Sequence, residues 1–303
     1  MKIWQLQQKV GLPLSAKEKL SMLRIKEFYM SNNGAVYVAF SGGKDSTVLL
    51  HLVRSMFPRV EGVFSDTGLE YPEIKSFVKE TKNIITIKPT KSFTTILKEY
   101  GYPVISKNVS RYVRDLQNPT SKNLRTREIR LGKTNSSIGT LPKKWRYLVD
   151  APFKFSEQCC NVMKKQPFKR YEKKSGKHPI IGTMASESRQ RKLNYLKTGC
   201  INYNSNMAQP LSFWTEKNIW DYIKKYNLKY SKIYDMGEKR TGCIFCMFGV
   251  HLEKEPNRFQ RMAKTHPKLY NYCMNKLGLK EVLKYIGVEY EQQQKKQLEK
   301  MFI

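Results

Sequence analysis

The stretch from Ala35 to Ser46 constrains this chain more than any other. Ala35 to Phe40 is a short apolar run containing Val36, Tyr37 and Val38, which reads as a buried strand. Ser41-Gly42-Gly43-Lys44-Asp45-Ser46 follows at once, and Val48, Leu49, Leu50 and Val53 then recur at helical spacing. The strand-then-turn pattern returns at Val60 to Phe64 before Ser65-Asp66-Thr67-Gly68, at Ile84 to Ile87 before Lys88-Pro89, and at Pro179 to Gly182 before Thr183 to Arg189. Helical stretches lie between. Such alternation marks βαβ units, so the expected fold is α/β, a parallel twisted sheet with helices on both faces.

The glycine pair fixes what the first loop can do. Two glycines between a buried strand and a helix let the backbone approach an anion, and the helix N-terminus presents unpaired N–H groups with partial positive charge. Lys44 adds a cation, Ser41 and Ser46 add hydroxyls, and Asp45 is placed to cap the helix or help hold Mg2+. The spacing is neither Gly-x-x-x-x-Gly-Lys-Ser/Thr nor Gly-x-Gly-x-x-Gly, which disfavours kinase-type and dinucleotide loops. Lys44 and Asp45 are expected to be exposed at the loop.

Composition enters through charge. Lys+Arg 56 against Asp+Glu 25 gives +31 over 303 residues, with 40% hydrophobic residues, so a folded chain meets an anionic partner, whether nucleotide, RNA or DNA. No apolar run approaches the ~20 residues of a membrane span and no signal core opens the chain, so a cytoplasmic protein is expected. Apolar Leu20, Met22, Leu23, Ile25 and Phe28 predict an amphipathic helix over about 15–30. Residues 106–150 carry Arg111, Arg114, Arg125, Arg127, Arg130, Lys133, Lys143, Lys144 and Arg146 among polar residues with little periodicity, which predicts a basic, partly mobile insertion with no core of its own. Glu216 to Ile223 reads as a helix with Ile219, Trp220 and Ile223 on one face. The domain plan is a helical N-terminal extension at 1–33, a nucleotide-binding domain at 34–230 that contains the basic insertion, and a small, mostly helical C-terminal region at 231–303 that opens with Cys-x-x-Cys and runs on as Lys-rich helix to Ile303.

Four of the six cysteines form two local pairs, Cys159-Cys160 and Cys243-x-x-Cys246. Four thiolates suit a 4Fe-4S cluster or a tetrahedral zinc, and unliganded buried thiols are a third state; spacing does not decide. In an extended segment, adjacent cysteines point apart, which a larger cluster tolerates better than one zinc ion. Cys200 and Cys273 read as structural thiols, and His251 as a surface residue or a support for the Cys-x-x-Cys.

These residues carry a resemblance. Ser41 to Ser46 is similar to the SGGKDS pyrophosphate loop of the PP-loop ATP pyrophosphatases, which cleave ATP between the α and β phosphates. Within that superfamily the chain resembles the phosphoadenosine phosphosulfate reductase family, in the adenine nucleotide alpha hydrolase-like fold. Asp66-Thr67-Gly68 with Tyr71-Pro72-Glu73, the loop from Gly182 to Arg191, and Pro210-Leu211 to Ile223 match its elements, although Met184 stands where an arginine is common. The resemblance implies nucleotide contacts from Ser41, Gly42, Gly43, Lys44, Asp45, Ser46, Asp66, Thr67, Gly68, Gly182, Arg189 and Arg191, with Lys44, Asp45 and Asp66 in the chemistry. It also implies cluster ligation by Cys159, Cys160, Cys243 and Cys246, as in the iron-sulfur reductases of adenosine phosphosulfate. Those reductases attack sulfur with a cysteine in an ECG-x-H motif, which nothing after Cys246 matches.

The leading expectation is therefore an iron-sulfur PP-loop enzyme that binds ATP and Mg2+, adenylylates an acceptor and supports sulfur transfer, with tRNA or DNA as acceptor and a sulfur donor protein such as a cysteine desulfurase as partner. The alternatives are thiol-dependent reduction of a sulfonucleotide, and a nucleotide-binding subunit of a DNA-modification or defence complex.

Overall fold

A computed structural model describes residues 2–134 and 138–291; the expected Lys-rich helix beyond Glu291 lies outside the described residues. Eight strands are described: β1 Val36–Ala39, β2 Gly62–Ser65, β3 Ile84–Ile87, β4 Val104–Ile105, β5 His178–Ile181, β6 Ile201–Asn202, β7 Met207–Ala208 and β8 Met247–Phe248. The chain divides into two compact units, the first comprising residues to Asp66, Glu70–Lys88 and Pro167–Thr241, the second Thr67–Leu69, Pro89–Gln166 and Gly242 onward.

The first unit is the α/β layer structure. Its sheet runs β3-β2-β1-β5-β7-β6, parallel except for the β6–β7 pair, with helices on both sides. β1 forms because Val36, Tyr37 and Val38 are β-branched or aromatic and fully enclosed. Its register sets Ala39 opposite Val63 on one side and Ile181 on the other, so the chain leaves β1, β2 and β5 at the same edge of the sheet. That carboxyl edge, where parallel strands hand over to helices, is where α/β sheets bind ligands.

The N-terminal residues are not an appended extension. The helix Leu14–Ser31 buries Ile25 and Phe28, and Ser21 Oγ donates to Pro210 O at 2.9 Å while accepting from the indole of fully buried Trp214 at 2.9 Å. The buried stripe of this helix also differs from the hydropathy reading. Leu23 is exposed, whereas Lys17 and Glu18 are enclosed. Lys17 Nζ reaches Val10 O and Asn218 Oδ1, and Glu18 accepts from Lys225 and Tyr226, so each enclosed charge has hydrogen-bond partners that offset its burial.

The second unit is built on a short central segment. Tyr102 makes a parallel bridge with Phe155, and two residues later β4 pairs in parallel with β8, Val104 opposite Met247 and Ile105 opposite Phe248. Ser110 Oγ secures Val104 by accepting from its amide at 3.0 Å and donating to its carbonyl at 2.7 Å. The segment 106–150 is not a coreless insertion. Helices Lys107–Gln117 and Leu124–Leu131 and the 3-10 helix Lys143–Asp150 run through it, and Val109, Val113, Leu116, Leu141 and Leu148 are buried. The apolar spacing Val109, Val113, Leu116 is helical, but sparse among basic residues. Residues Asn135 to Ser137 of the expected insertion are outside the described residues. The unit boundary also falls at Thr241–Gly242, later than the expected 231.

Gly101 governs entry into this segment. Its φ is +89°, and a Cβ there would stand 2.0 Å from Lys154 O, the carbonyl that accepts from Tyr102 N. Gly101→Ala is therefore expected to lower stability by about 3 kcal/mol or more, since backbone strain and a backbone clash act together. Thermal denaturation checks it; an unchanged melting temperature would show that residues 101 and 154 do not approach in this way.

Candidate nucleotide loop and thiol cluster

In the first unit the loop 41–46 closes on itself. Gly43 is the N-cap of the helix Lys44–Met56, and its carbonyl accepts from Ser46 Oγ at 2.8 Å and from Thr47 Oγ1 at 3.0 Å. Ser41 N donates to Ser46 Oγ and Gly43 N to Ser41 Oγ. Gly42 sits at φ +70° against Ile74 and Val78, and a Cβ on Gly43 would meet Thr241 Oγ1 at 2.5 Å. Both glycines are required, one for its dihedral and one for space. Gly182, just past β5, lies so close that a Cβ would be 3.1 Å from Asp45 O.

The expectation that Lys44 and Asp45 are exposed is overturned. Lys44 is only 5% exposed, with Nζ 3.2 Å from Lys239 O and 3.2 Å from Glu216 Oε1. Its amide donates to Tyr234 OH at 2.8 Å, and its Nζ stands 5.2 Å from the Tyr234 ring centroid. Tyr234 in turn packs edge-on against Trp220. Lys44 and Asp45 open the first turn of a helix whose end is covered by residues 231–241, and that cover was not visible in the sequence. Asp45 is half-buried and its Oδ1 has no hydrogen-bond partner among the described residues. Burial raises its pKa above the ordinary aspartate range, with Glu187 and Glu216 adding to the rise and Lys44 and Arg191 opposing it.

The other expected contacts divide. Asp66 follows β2 and pairs with Lys75 Nζ at 3.3 Å. Arg189 and Arg191 are exposed at the start of the helix Arg189–Thr198, with Arg191 ion-paired to Glu187. Met184 is buried, so the position where an arginine is common belongs to the core here. Thr67 and Gly68 belong to the second unit, where Thr67 Oγ1 accepts from Leu69 N and Leu69 O accepts from Ile244 N.

The same Leu69 contact anchors the Cys243-x-x-Cys246 turn, which closes through Cys246 N to Cys243 O at 3.0 Å and leads into β8. Arg258 Nη1 donates to Cys246 O at 3.0 Å while its other nitrogens hold Glu253. Cys159 and Cys160 are not in an extended segment: they form the helical turn Gln158–Cys160, continued by a π turn Asn161–Lys165. Ser156 Oγ accepts from Gln158 N at 3.0 Å where the chain enters that turn.

The thiols are close enough to change one another's ionisation. A hydrogen bond shared with Cys160, then burial and the charges of Cys160, Cys246 and Cys243, push the Cys159 thiol up. The Cys159 hydrogen bond and the charges of Lys107, Lys164 and Lys165 bring Cys160 down to about 6 against its burial, and burial raises Cys246. The pair thus loses its first proton easily and holds its second. Among the described residues no group of three or more His, Cys, Asp or Glu side chains is arranged to hold a single metal ion. Cys200 and Cys273 are buried and stand apart, pushed up to about 11 and about 12 by burial.

The first unit is thus an α/β domain with a closed glycine loop at the carboxyl edge of β1. The chain belongs to the phosphoadenosine phosphosulfate reductase domain family, whose model matches residues 35–112 and 105–248. Two uncharacterized proteins of Methanocaldococcus jannaschii are 28% identical over 283 residues (90% of this chain, 54% of theirs) and 24% identical over 263 residues (84% and 43%). The chain thus spans about half the length of these two relatives. An adenosine 5'-phosphosulfate reductase of Anoxybacillus flavithermus is 23% identical over 271 residues, 88% of this chain and 97% of that one. Among solved structures, a phosphoadenylyl-sulfate reductase from Candida auris in its phosphate complex aligns at 16% identity and TM-score 0.43, covering 77% of this chain and 96% of that one. A U34-tRNA thiolase from Methanococcus maripaludis with its 4Fe-4S cluster aligns at 13% identity and TM-score 0.37, covering 91% and 82%.

The half-buried Asp45 makes a stability prediction with a definite sign. Its raised pKa means that the folded state binds a proton more tightly than the unfolded chain, so stability falls as pH rises from about 3.9 through the raised value. Asp45→Asn removes that loss. The variant is expected to melt higher than the parent at neutral pH, with the difference vanishing near pH 3, while nucleotide turnover falls. A lower melting temperature for the variant at neutral pH would contradict the burial argument.

Proposed function

We propose that this protein is an ATP pyrophosphatase that adenylylates an oxygen of its acceptor and supports replacement of that oxygen by sulfur. The observation that carries this reading is the state of the thiols. Sulfonucleotide reduction needs a protein thiolate to attack sulfur, and both cysteines outside the two pairs, Cys200 and Cys273, are buried with raised pKa values. The glycine loop and its lysine, in contrast, have what ATP cleavage requires.

The acceptor oxygen attacks the α-phosphorus, the bond to the bridging oxygen breaks, and pyrophosphate leaves. Lys44 and the amides at the start of the helix Lys44–Met56 would neutralise the charge that grows on pyrophosphate, with Ser41 and Ser46 orienting the loop. Asp45 would help hold Mg2+, which supplies further charge neutralisation when bound. A donor at the oxidation level of sulfide would then attack the activated carbon or phosphorus, and AMP would depart with the oxygen. Cys159, Cys160, Cys243 and Cys246 would hold a 4Fe-4S cluster: the donor set is all thiolate, it lies within one unit, and Lys107, Lys164 and Lys165 offset its negative charge. Such a group supplies an iron site for sulfur or a path for electrons.

A second reading, thiol-dependent reduction of a sulfonucleotide, is favoured by the reductase relative that the chain matches over 97% of its length. The two separate in one experiment. Protein purified without oxygen is incubated with ATP and bulk RNA or DNA, and separately with adenosine phosphosulfate and a small thiol. Pyrophosphate is expected from the first mixture, with AMP following only once sulfide is added, and Lys44→Ala should lower the rate of pyrophosphate release about a hundredfold; sulfite from the second, with no pyrophosphate from the first, would overturn the proposal. The same preparation is expected to be brown, and Ser at any of Cys159, Cys160, Cys243 or Cys246 should bleach it; stoichiometric zinc without iron or sulfide would exclude the cluster.

A further inference from the structure

The basic surface of the second unit is not uniform. Arg114 is paired with Asp115 and Glu157, and Arg130 reaches Asp115 Oδ2 at 3.1 Å and Gly139 O at 2.9 Å with its guanidinium 4.1 Å from the Tyr112 ring centroid. Those arginines hold the fold together. The 3-10 helix Lys143–Asp150 is different: Lys143, Lys144 and Arg146 are exposed, Arg146 with one nitrogen held by Leu131 O at 3.1 Å, and aromatic rings alternate with them. Trp145 is half-buried, braced edge-on by His251 at 5.3 Å, and Lys144 Nζ lies 5.2 Å from the Trp145 centroid. Tyr147 is 41% exposed and braced by Tyr285, whose hydroxyl donates to Tyr147 O at 3.2 Å. Leu252, next to His251, is 79% exposed.

A ring fixed at its edge, with a cation beside it, matches one nucleotide: the base stacks on the ring and its phosphate meets the cation. A core position would have enclosed Tyr147, and a merely solvated surface would not brace two aromatic rings. Burial and the charge of Lys144 lower the His251 pKa, so its imidazole is a neutral prop for the tryptophan. Stacking requires unpaired bases, which duplex DNA hides and the loops of folded RNA present.

We propose that the helix Lys143–Asp150, with His251 and Leu252, binds an unpaired stretch of RNA, bases stacking on Trp145 and Tyr147 and phosphates meeting Lys143, Lys144 and Arg146. This names the acceptor class of the sulfur-transfer reading and rests on it for its purpose, but binding is measured without ATP. Anisotropy of a labelled, unstructured RNA of roughly 12 nucleotides is titrated at about 50 to 200 mM salt, with the same sequence as single-stranded DNA and as RNA duplex. The single-stranded RNA should bind tightest. Trp145→Ala should weaken it about tenfold, Trp145→Phe should restore most of the loss, and Lys143→Gln with Lys144→Gln should reduce the salt slope by about 1.4.

Equal binding of RNA duplex, tighter binding of single-stranded DNA, or polyglutamate displacing nothing while heparin displaces RNA with Trp145→Ala unchanged would each overturn the stacking surface. The lysine pair is exposed and keeps the test decisive should Trp145→Ala fail to fold: an unchanged salt slope overturns the proposal. Pyrophosphate release that persists when RNA binding is absent would sink this surface and leave the ATP reading standing; RNA binding without pyrophosphate release would do the reverse.

Discussion

The contact between Gly182 and the peptide that follows Asp45 determines the geometry of the nucleotide loop. Because β1 and β5 run parallel with Ala39 opposite Ile181, the two chains leave the sheet abreast, and the first residue after β5 is pressed against the loop that follows β1. A Cβ there would stand 3.1 Å from Asp45 O, so a larger residue would make the loop give by a few tenths of an ångström. The loop then has a single way to close: Ser41 and Ser46 bond each other, Gly43 O collects two hydroxyls, and the lysine and aspartate of the first helical turn are drawn in under Tyr234. The cost falls on Asp45, whose carboxylate is half-buried with one oxygen unpartnered among the described residues. A fold seeking stability alone would place asparagine or serine there. Keeping a carboxylate costs stability and is consistent with a site whose task is to meet a cation and phosphates.

The second unit obeys a comparable constraint on a smaller scale. Residues 102–105 pair on one side with Phe155 and on the other with Met247 and Phe248. Cys159-Cys160 begins four residues after the first partner and Cys246 immediately precedes the second, so one short segment sets both thiol pairs in the same unit. Burial by itself pushes the Cys160 thiol up. Lys107, Lys164 and Lys165 act against that, and the helical turn at Gln158–Cys160 lets Cys159 donate to Cys160. The proton shared by the two cysteines is what distinguishes them electrically, although nothing in the sequence separates their roles.

Much of this was legible from residues. The sheet followed from Val36-Tyr37-Val38, from Val60 to Phe64 and from Ile84 to Ile87, because short apolar runs rich in β-branched residues and followed by turn residues have few other uses. The tight loop between β1 and the helix Lys44–Met56 followed from two glycines between strand and helix. What stayed hidden depends on partners far away in the chain. Lys17 and Glu18 look solvated until Asn218 and Lys225 are placed beside them. Lys44 looks exposed until Tyr234, Lys239 and Glu216 close over it. The segment 106–150 looked coreless because three apolar residues at helical spacing are a weak signal among so many cations. The only local hint of the Tyr234 cover was an aromatic run, Tyr226, Tyr230 and Tyr234, after a tryptophan-bearing helix.

Net charge shows the difference between these levels most clearly. A value of +31 points to a polyanion but assigns no residue to it. Once the structure is in view, guanidinium and ammonium groups part company. Arg54 donates to the carbonyls of Val60, Lys82 and Asn83, and Arg114 and Arg130 are tied to carboxylates, because a planar fork of donors can satisfy several acceptors at once within a packed surface. Lysine gains less from such sites and remains at the surface, as Lys143 and Lys144 do. Arg114 and Arg130 of the basic segment form bonds within the protein and Arg146 donates to Leu131 O, whereas Arg111 and Arg125 stay exposed. The charge left for a partner is carried by these and by the surface lysines, cations whose contribution is long-range and screened by salt. A surface of that kind gathers polyanions without discriminating among them, and selectivity has to come from groups with shape. In this unit those are the braced rings of Trp145 and Tyr147, which is why aromatic side chains and not the cations are the place to look for recognition.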